Sequence, residues 1–196
     1  MNVLHLDIET TGLDFDRHQV VEIGMIYDTM DRPVDELSAF QCFVKHKDFV
    51  IDPFCLKMHL NRWESIMKDG LDCSSVASAM WKWLQTLHIP QEKGRDGTWK
   101  TYLTLCGKNV AGFDYQFLRV AGIINQLRQQ DYVIRHRMLD IGSLYSKSED
   151  EFIPDLSECC KRAGFVDTEV KHNSIDDCMM TVKLLRHHWG INSFEV

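Results

Sequence analysis

A chain of 196 residues that is 44% hydrophobic and 26% charged has ordinary globular composition, and it is long enough to bury a core without disulfides or structural metal. Its 22 basic and 29 acidic residues leave a net charge of −7, which excludes the broad basic face of a nonspecific nucleic-acid coat; any nucleic acid is gripped over a short stretch. Seven cysteines, an odd number with no C-x-x-C pair, argue against a disulfide framework or a thiolate zinc site and read as packing thiols. No apolar run reaches the roughly 18 residues of a membrane span. The start, Met1 to Asp7, carries an early acid and no basic residue, unlike a secretory signal. One domain over 1–196 and a cytoplasmic location are the expectations.

Val3 to Ile8 places Leu4, Leu6 and Ile8 on one face and Val3, His5, Asp7 and Glu9 on the other, which predicts a strand ending in a turn at Thr10-Thr11-Gly12. Apolar runs at Gln19–Tyr27 and Leu37–Lys47, the latter after the turn signal Asp31-Arg32-Pro33, predict two more strands and an antiparallel meander. Apolar positions 76, 80, 83, 84 and 87 predict an amphipathic helix over Ser75–Leu87. Pro90 to Lys100, polar with two glycines, reads as a surface loop. Tyr102–Cys106 reads as a buried strand, and positions 113, 117, 120, 121, 124 and 127 as one long helix. Val133–Ile141 predicts a strand running into a turn at Gly142, Leu156–Ala163 a helix stopped by Gly164, and Ser174–Trp189 a last helix. Strands first, then strands alternating with helices, imply a mixed sheet with helices on its faces.

Three clusters carry chemistry. Asp7 and Glu9, two apart on a strand, project from one face and can bracket a divalent cation, although strand ends commonly carry exposed acids. Asp114 falls in the first turn of a helix after the loop 107–112, where the helix dipole favours an acid with no function at all. In His172-Asn173-Ser174-Ile175-Asp176-Asp177, Ser174 and Asp177 also fit a capping box, which leaves His172 unexplained.

The phrases Asp7-Ile8-Glu9-Thr10-Thr11-Gly12-Leu13-Asp14, Gly107 to Asp114, and His172 to Asp177 resemble, in order and context, the three motifs of the DEDDh (DnaQ-like) 3′-to-5′ exonucleases of the RNase H-like superfamily. Val20-Val21-Glu22-Ile23-Gly24 looks like that family's second strand, and Pro53 with His59 fits the segment ahead of its helical region, so the resemblance covers about 2–189. Ser174 and Cys178 stand where the family commonly has alanine. Neither removes a ligand.

The resemblance implies an α/β, RNase H-like fold with a mixed five-stranded sheet whose first three strands are antiparallel. It implies Asp7, Glu9, Asp114 and Asp177 as ligands of two Mg²⁺ or Mn²⁺ ions, with His172 as general base, a role suited to an imidazole. Thr10, Thr11, Gly12, Leu13, Met58, His59 and Asn109 would hold the terminal nucleotide. The implied partner is the 3′ end of single-stranded DNA or RNA, with a polymerase or other replication protein for a proofreading member. An RNA trimmer resembling oligoribonuclease and a silent 3′-end-binding subunit stay open beside the DNA exonuclease.

Overall fold

The structure, a computed structural model, describes residues 2–59, 61–166, 168 and 170–191, and of Met58 the backbone only. Three strands, β1 (Val3–Thr10), β2 (Val20–Asp28) and β3 (Ser38–Phe43), form the expected antiparallel meander. Three helices follow, α1 (Pro53–His59), α2 (Trp63–Asp69) and α3 (Cys73–Thr86). The Asp72 carboxylate starts α3 by accepting from the Ser74 and Ser75 N–H groups.

The 90–100 segment is not a loop. It forms β4 (Gln91–Lys93) and the turn into β5 (Trp99–Leu103). Gln91, Glu92 and Lys93 are all exposed, so this strand has no buried face and leaves no period-two signal. The apolar run at 102–106 is split at Thr104: β5 belongs to a small second sheet, and β6 (Leu105–Gly107) to the main one. Both halves are largely buried, so hydrophobicity alone does not mark the change of sheet.

The long helix expected from Phe113 is two, α4 (Asp114–Val120) and α5 (Ile123–Gln129). Gly122 at φ +77° ends the first and caps the second, while the apolar stripe continues across the break. The 133–141 run divides into β7 (Tyr132–Ile134) and β8 (Leu139–Asp140), followed by the short α6 (Ile141–Leu144) in place of a turn at Gly142. The helices α7 (Leu156–Arg162) and α8 (Ser174–His188) match expectation.

The main sheet has the order β3-β2-β1-β6-β8, with β6 and β8 parallel to β1; the second sheet is β4-β5-β7. Leu4, Leu6 and Ile8 point from β1 into a core with Val76, Met80 and Leu84 of α3, Phe117 of α4, and Ile123 and Leu127 of α5. The opposite face, carrying His5, Asp7 and Glu9, lies under α8, where the His5 ring meets the Thr181 hydroxyl. A strand covered on both faces keeps acids only where they are answered or used.

Candidate active site

Asp7 and Glu9 leave the same face of β1 at the edge where its parallel neighbour stops. β6 pairs with β1 only through Leu4 and His5, so the Ile8 N–H has no strand partner on that side. The Asp114 carboxylate takes its place, accepting from Ile8 at 3.1 Å. Asp114 is the first residue of α4 and is buried.

Asp177 arrives on the first turn of α8. The capping box does not form: Asn173 is the cap, accepting from the Ile175 and Asp176 N–H groups. Ser174 instead donates from Oγ to Glu22 at 2.9 Å. Asp177 is therefore not spent on the helix end, and its buried Oδ1 has no hydrogen-bond partner among the described residues. Gly24 lets α8 come this close, because a Cβ there would sit 2.5 Å from the Ser174 backbone.

Glu9, Asp114 and Asp177 are buried and Asp7 is half-buried, so the four acids repel one another with little solvent between them. Burial, then the charges of Asp114, Asp177 and Glu9, push the Asp7 carboxyl well above the usual carboxylate range. Burial raises Glu9 to about 7 against the opposing pull of Arg62, and burial also raises Asp114 and Asp177. Oxygens of Glu9 and Asp177 and a ring nitrogen of His172 all lie within 4.8 Å of one another. Hard oxygen donors, excess buried negative charge and an orphaned carboxylate oxygen fit a divalent cation of the Mg²⁺ or Mn²⁺ kind.

Beside Glu9 opens a cavity of about 360 Å³ lined by Ile8, Glu9, Thr10, Leu13, Asp52, Phe54, Cys55, His59 and Phe113. Of the residues expected to hold a nucleotide, Thr10, Leu13 and His59 line it. Thr11 lies behind, where its backbone pairs with Gln19 and Asp52, and Gly12 packs on the His18 ring. The Met58 side chain lies outside the described residues. Asn109 is exposed in the β6–α4 turn at φ +56°, its N–H held by the Asp140 carboxylate, and it does not line this cavity.

His59 is buried, and its Nε2 lies 3.1 Å from the Thr10 carbonyl. A carbonyl only accepts, so Nε2 carries the proton. Burial lowers the pKa of His59, so it stands as a neutral ring 3.7 Å from Glu9. Sequence reasoning missed Phe54, which lines this cavity with the 80% exposed Leu13 and is itself 70% exposed. An exposed aromatic beside Pro53 was the available signal. It also missed Arg62 and Glu22, whose pairing joins residues 40 apart in sequence.

The RNase_T exonuclease family profile matches residues 4–185. Among solved structures, E. coli exonuclease I in complex with a dA16 oligonucleotide is similar at a TM-score of 0.65 and 15% identity over 97% of this chain. A moderately thermophilic exonuclease I from Methylocaldum szegediense gives 0.66 and 15% over 98%, and the cell-death related nuclease CRN-4 gives 0.67 and 14% over 97%. At such identities the likeness is one of fold. This chain spans 41% of either exonuclease I and 64% of CRN-4. No curated protein matches it.

Proposed function

The chain belongs to the RNase_T exonuclease family, and from that premise we propose that it is a metal-dependent 3′-to-5′ exonuclease releasing 5′-mononucleotides from single-stranded nucleic acid, DNA in the first place, with 1–196 acting as one domain. The observation that carries the reading is the convergence of Asp7, Glu9, Asp114 and Asp177, three buried and Asp7 half-buried, mutually repelling at one sheet edge beside an apolar cavity. The oligonucleotide held by the E. coli neighbour supports the choice of a single strand.

Two Mg²⁺ or Mn²⁺ ions on the four carboxylates would supply the charge that a phosphodiester and its leaving oxygen require, and would acidify a water. The chain's own residues do the rest. His172, beside Glu9 and Asp177, takes the proton of the attacking water on a ring nitrogen. Leu13 and Phe54, both exposed, offer the terminal base apolar surfaces, and Phe113 adds a third apolar wall to the same cavity. Neutral His59, bonded to Thr10, lines the wall next to Glu9 without adding a second cation. With a net charge of −7, the protein engages a few nucleotides at the strand end and leaves a long phosphate track unheld.

The test is digestion of a 5′-labelled single-stranded DNA and its RNA twin with Mg²⁺ present. A descending ladder on the DNA and no cutting of a covalently closed circle is the expected result. Rapid cutting of the circle overturns the end-directed reading, and preference for the RNA replaces the substrate by ribonucleotide strands.

A further inference from the structure

We infer that Arg62, clamped by Glu22, is a positioning residue that fixes His172 over the carboxylates; the inference rests on reading His172 as the base. Glu22 is the fifth acid at this edge, directly across the strands from Glu9. Like charges in that register destabilise a sheet unless one is answered. Glu22 is answered by protein alone: it is 1% exposed, pairs with Arg62, and accepts from Gln41 at 2.8 Å and from Ser174 at 2.9 Å. It is therefore not free to serve as a further metal ligand.

Arg62, immediately before α2, divides its guanidinium among three elements. Nη1 donates to Glu22, while Nη2 donates to the His172 carbonyl and approaches Nδ1 of His59 at 3.4 Å. Since His59 Nε2 donates to the Thr10 carbonyl, one planar cation ties together the end of β1, the second strand and the residue before the α8 cap.

His172 needs that tie. It is exposed and stands at φ +51°, a left-handed conformation that a residue with a Cβ adopts at a cost. Its backbone is held at the carbonyl by Arg62, on one side of it by the Asn173 cap, and on the other by the bond from the Lys171 N–H to the Asp177 carboxylate. A lysine keeps the charge but not the fork, so it cannot serve Glu22 and the carbonyl in the same geometry.

The experiment is a double-mutant cycle on turnover of a short single-stranded oligonucleotide, with Arg62→Gln, His172→Ala and the pair. Arg62→Gln is expected to lower kcat roughly 10- to 100-fold, the scale of a catalytic group displaced by about 1 Å, with KM little changed. In the His172→Ala background the same substitution is expected to change kcat by less than about 2-fold, because the group it positions is gone. Arg62→Lys is expected to recover only part of the loss.

An equal fall in both backgrounds, or a loss confined to KM, overturns the inference. If His172→Ala lowers kcat and Arg62→Gln does not, the clamp is overturned while the base stands. If His172→Ala has no effect, both fall together. Circular dichroism and thermal unfolding check each variant, and Glu22→Gln, which loosens the same guanidinium, carries the cycle if Arg62→Gln does not fold.

Discussion

At one end of β1 and β2 a buried charge is fully answered. Asp28 receives Nε of Arg186 at 2.9 Å and Nη2 at 2.6 Å, takes the Met30 N–H at 2.8 Å, and sees no solvent. His5 beside it donates from Nδ1 to Thr181, whose own proton goes to the Cys178 carbonyl, and burial lowers the His5 pKa to about 4, so the ring is neutral. At the other end of the same strands and the same helix, four carboxylates converge beside a cavity, and the guanidinium of Arg62, drawn into the same edge, is bound to a fifth. Three elements thus build a closed ion pair and an open acid site roughly two and a half helical turns apart on α8. The closed pair holds α8 onto the sheet, whereas the open end gathers the carboxylates that the proposed metal-dependent hydrolysis uses.

The sharpest way to break this contrast is to remove an acid from the open end. Asp7→Ala or Asp177→Ala is expected to reduce hydrolysis to background while thermal stability in excess chelator is unchanged or higher, since each removes a buried, repelled charge. Melting curves beside rate measurements check this, and undiminished hydrolysis in chelator contradicts it. Next in size, His172→Ala is expected to lower turnover by roughly 10² to 10⁴, the worth of a positioned base, with a smaller loss of substrate binding. Steady-state rates against pH read this out.

At the closed end the effect moves from chemistry to folding. Arg186→Met leaves Asp28 buried and unpaired and is expected to cost about 3–5 kcal/mol in a urea titration, while turnover per folded molecule stays near wild type. A large loss of turnover at unchanged stability would make the two clusters one unit.

The smallest effect is a difference in pH slope for the metal-free protein. Glu9, raised from 4.5 to about 7 by burial, and Asp7, raised by burial and by the neighbouring acids, hold more protons folded than unfolded, so their stabilisation is lost as pH rises through the folded values. His5, lowered from 6.5 to about 4, does the reverse, and its contribution grows between those values. Above pH 6.5 the acids act alone, and each titrating group contributes up to about 1.4 kcal/mol per pH unit. Stability in chelator is therefore expected to fall between pH 6.5 and 7.5, and Glu9→Gln to flatten the fall, as urea titrations at several pH values will register.

The same contrast shows what the sequence discloses. Asp7 and Glu9 are two apart on a strand, and His172 and Asp177 five apart at a helix start, so motif spacing exposes the open site. Asp28 with Arg186 and Glu22 with Arg62 join residues distant in sequence, and nothing local distinguishes them from surface charges. Ser174 misleads for the same reason: its local pattern fits a cap, but Glu22 on the second strand takes its hydroxyl proton. The amphipathic helices are legible because each buries one periodic face, and β1 and β2, buried on both faces, because their short apolar runs end at turn signals. The β4 strand, buried on neither face, and the break at Gly122, across which the apolar stripe runs on, are not.

Binding of a divalent cation by the open acids is read out by thermal unfolding with Mn²⁺ titrated into chelator-treated protein. Wild type is expected to gain about 2.7 kcal/mol at a Mn²⁺ concentration 100 times the dissociation constant, with Arg186→Met gaining as much from its lower baseline and Asp177→Asn gaining little. An equal gain in wild type and Asp177→Asn, or none in wild type at millimolar Mn²⁺, would contradict the account.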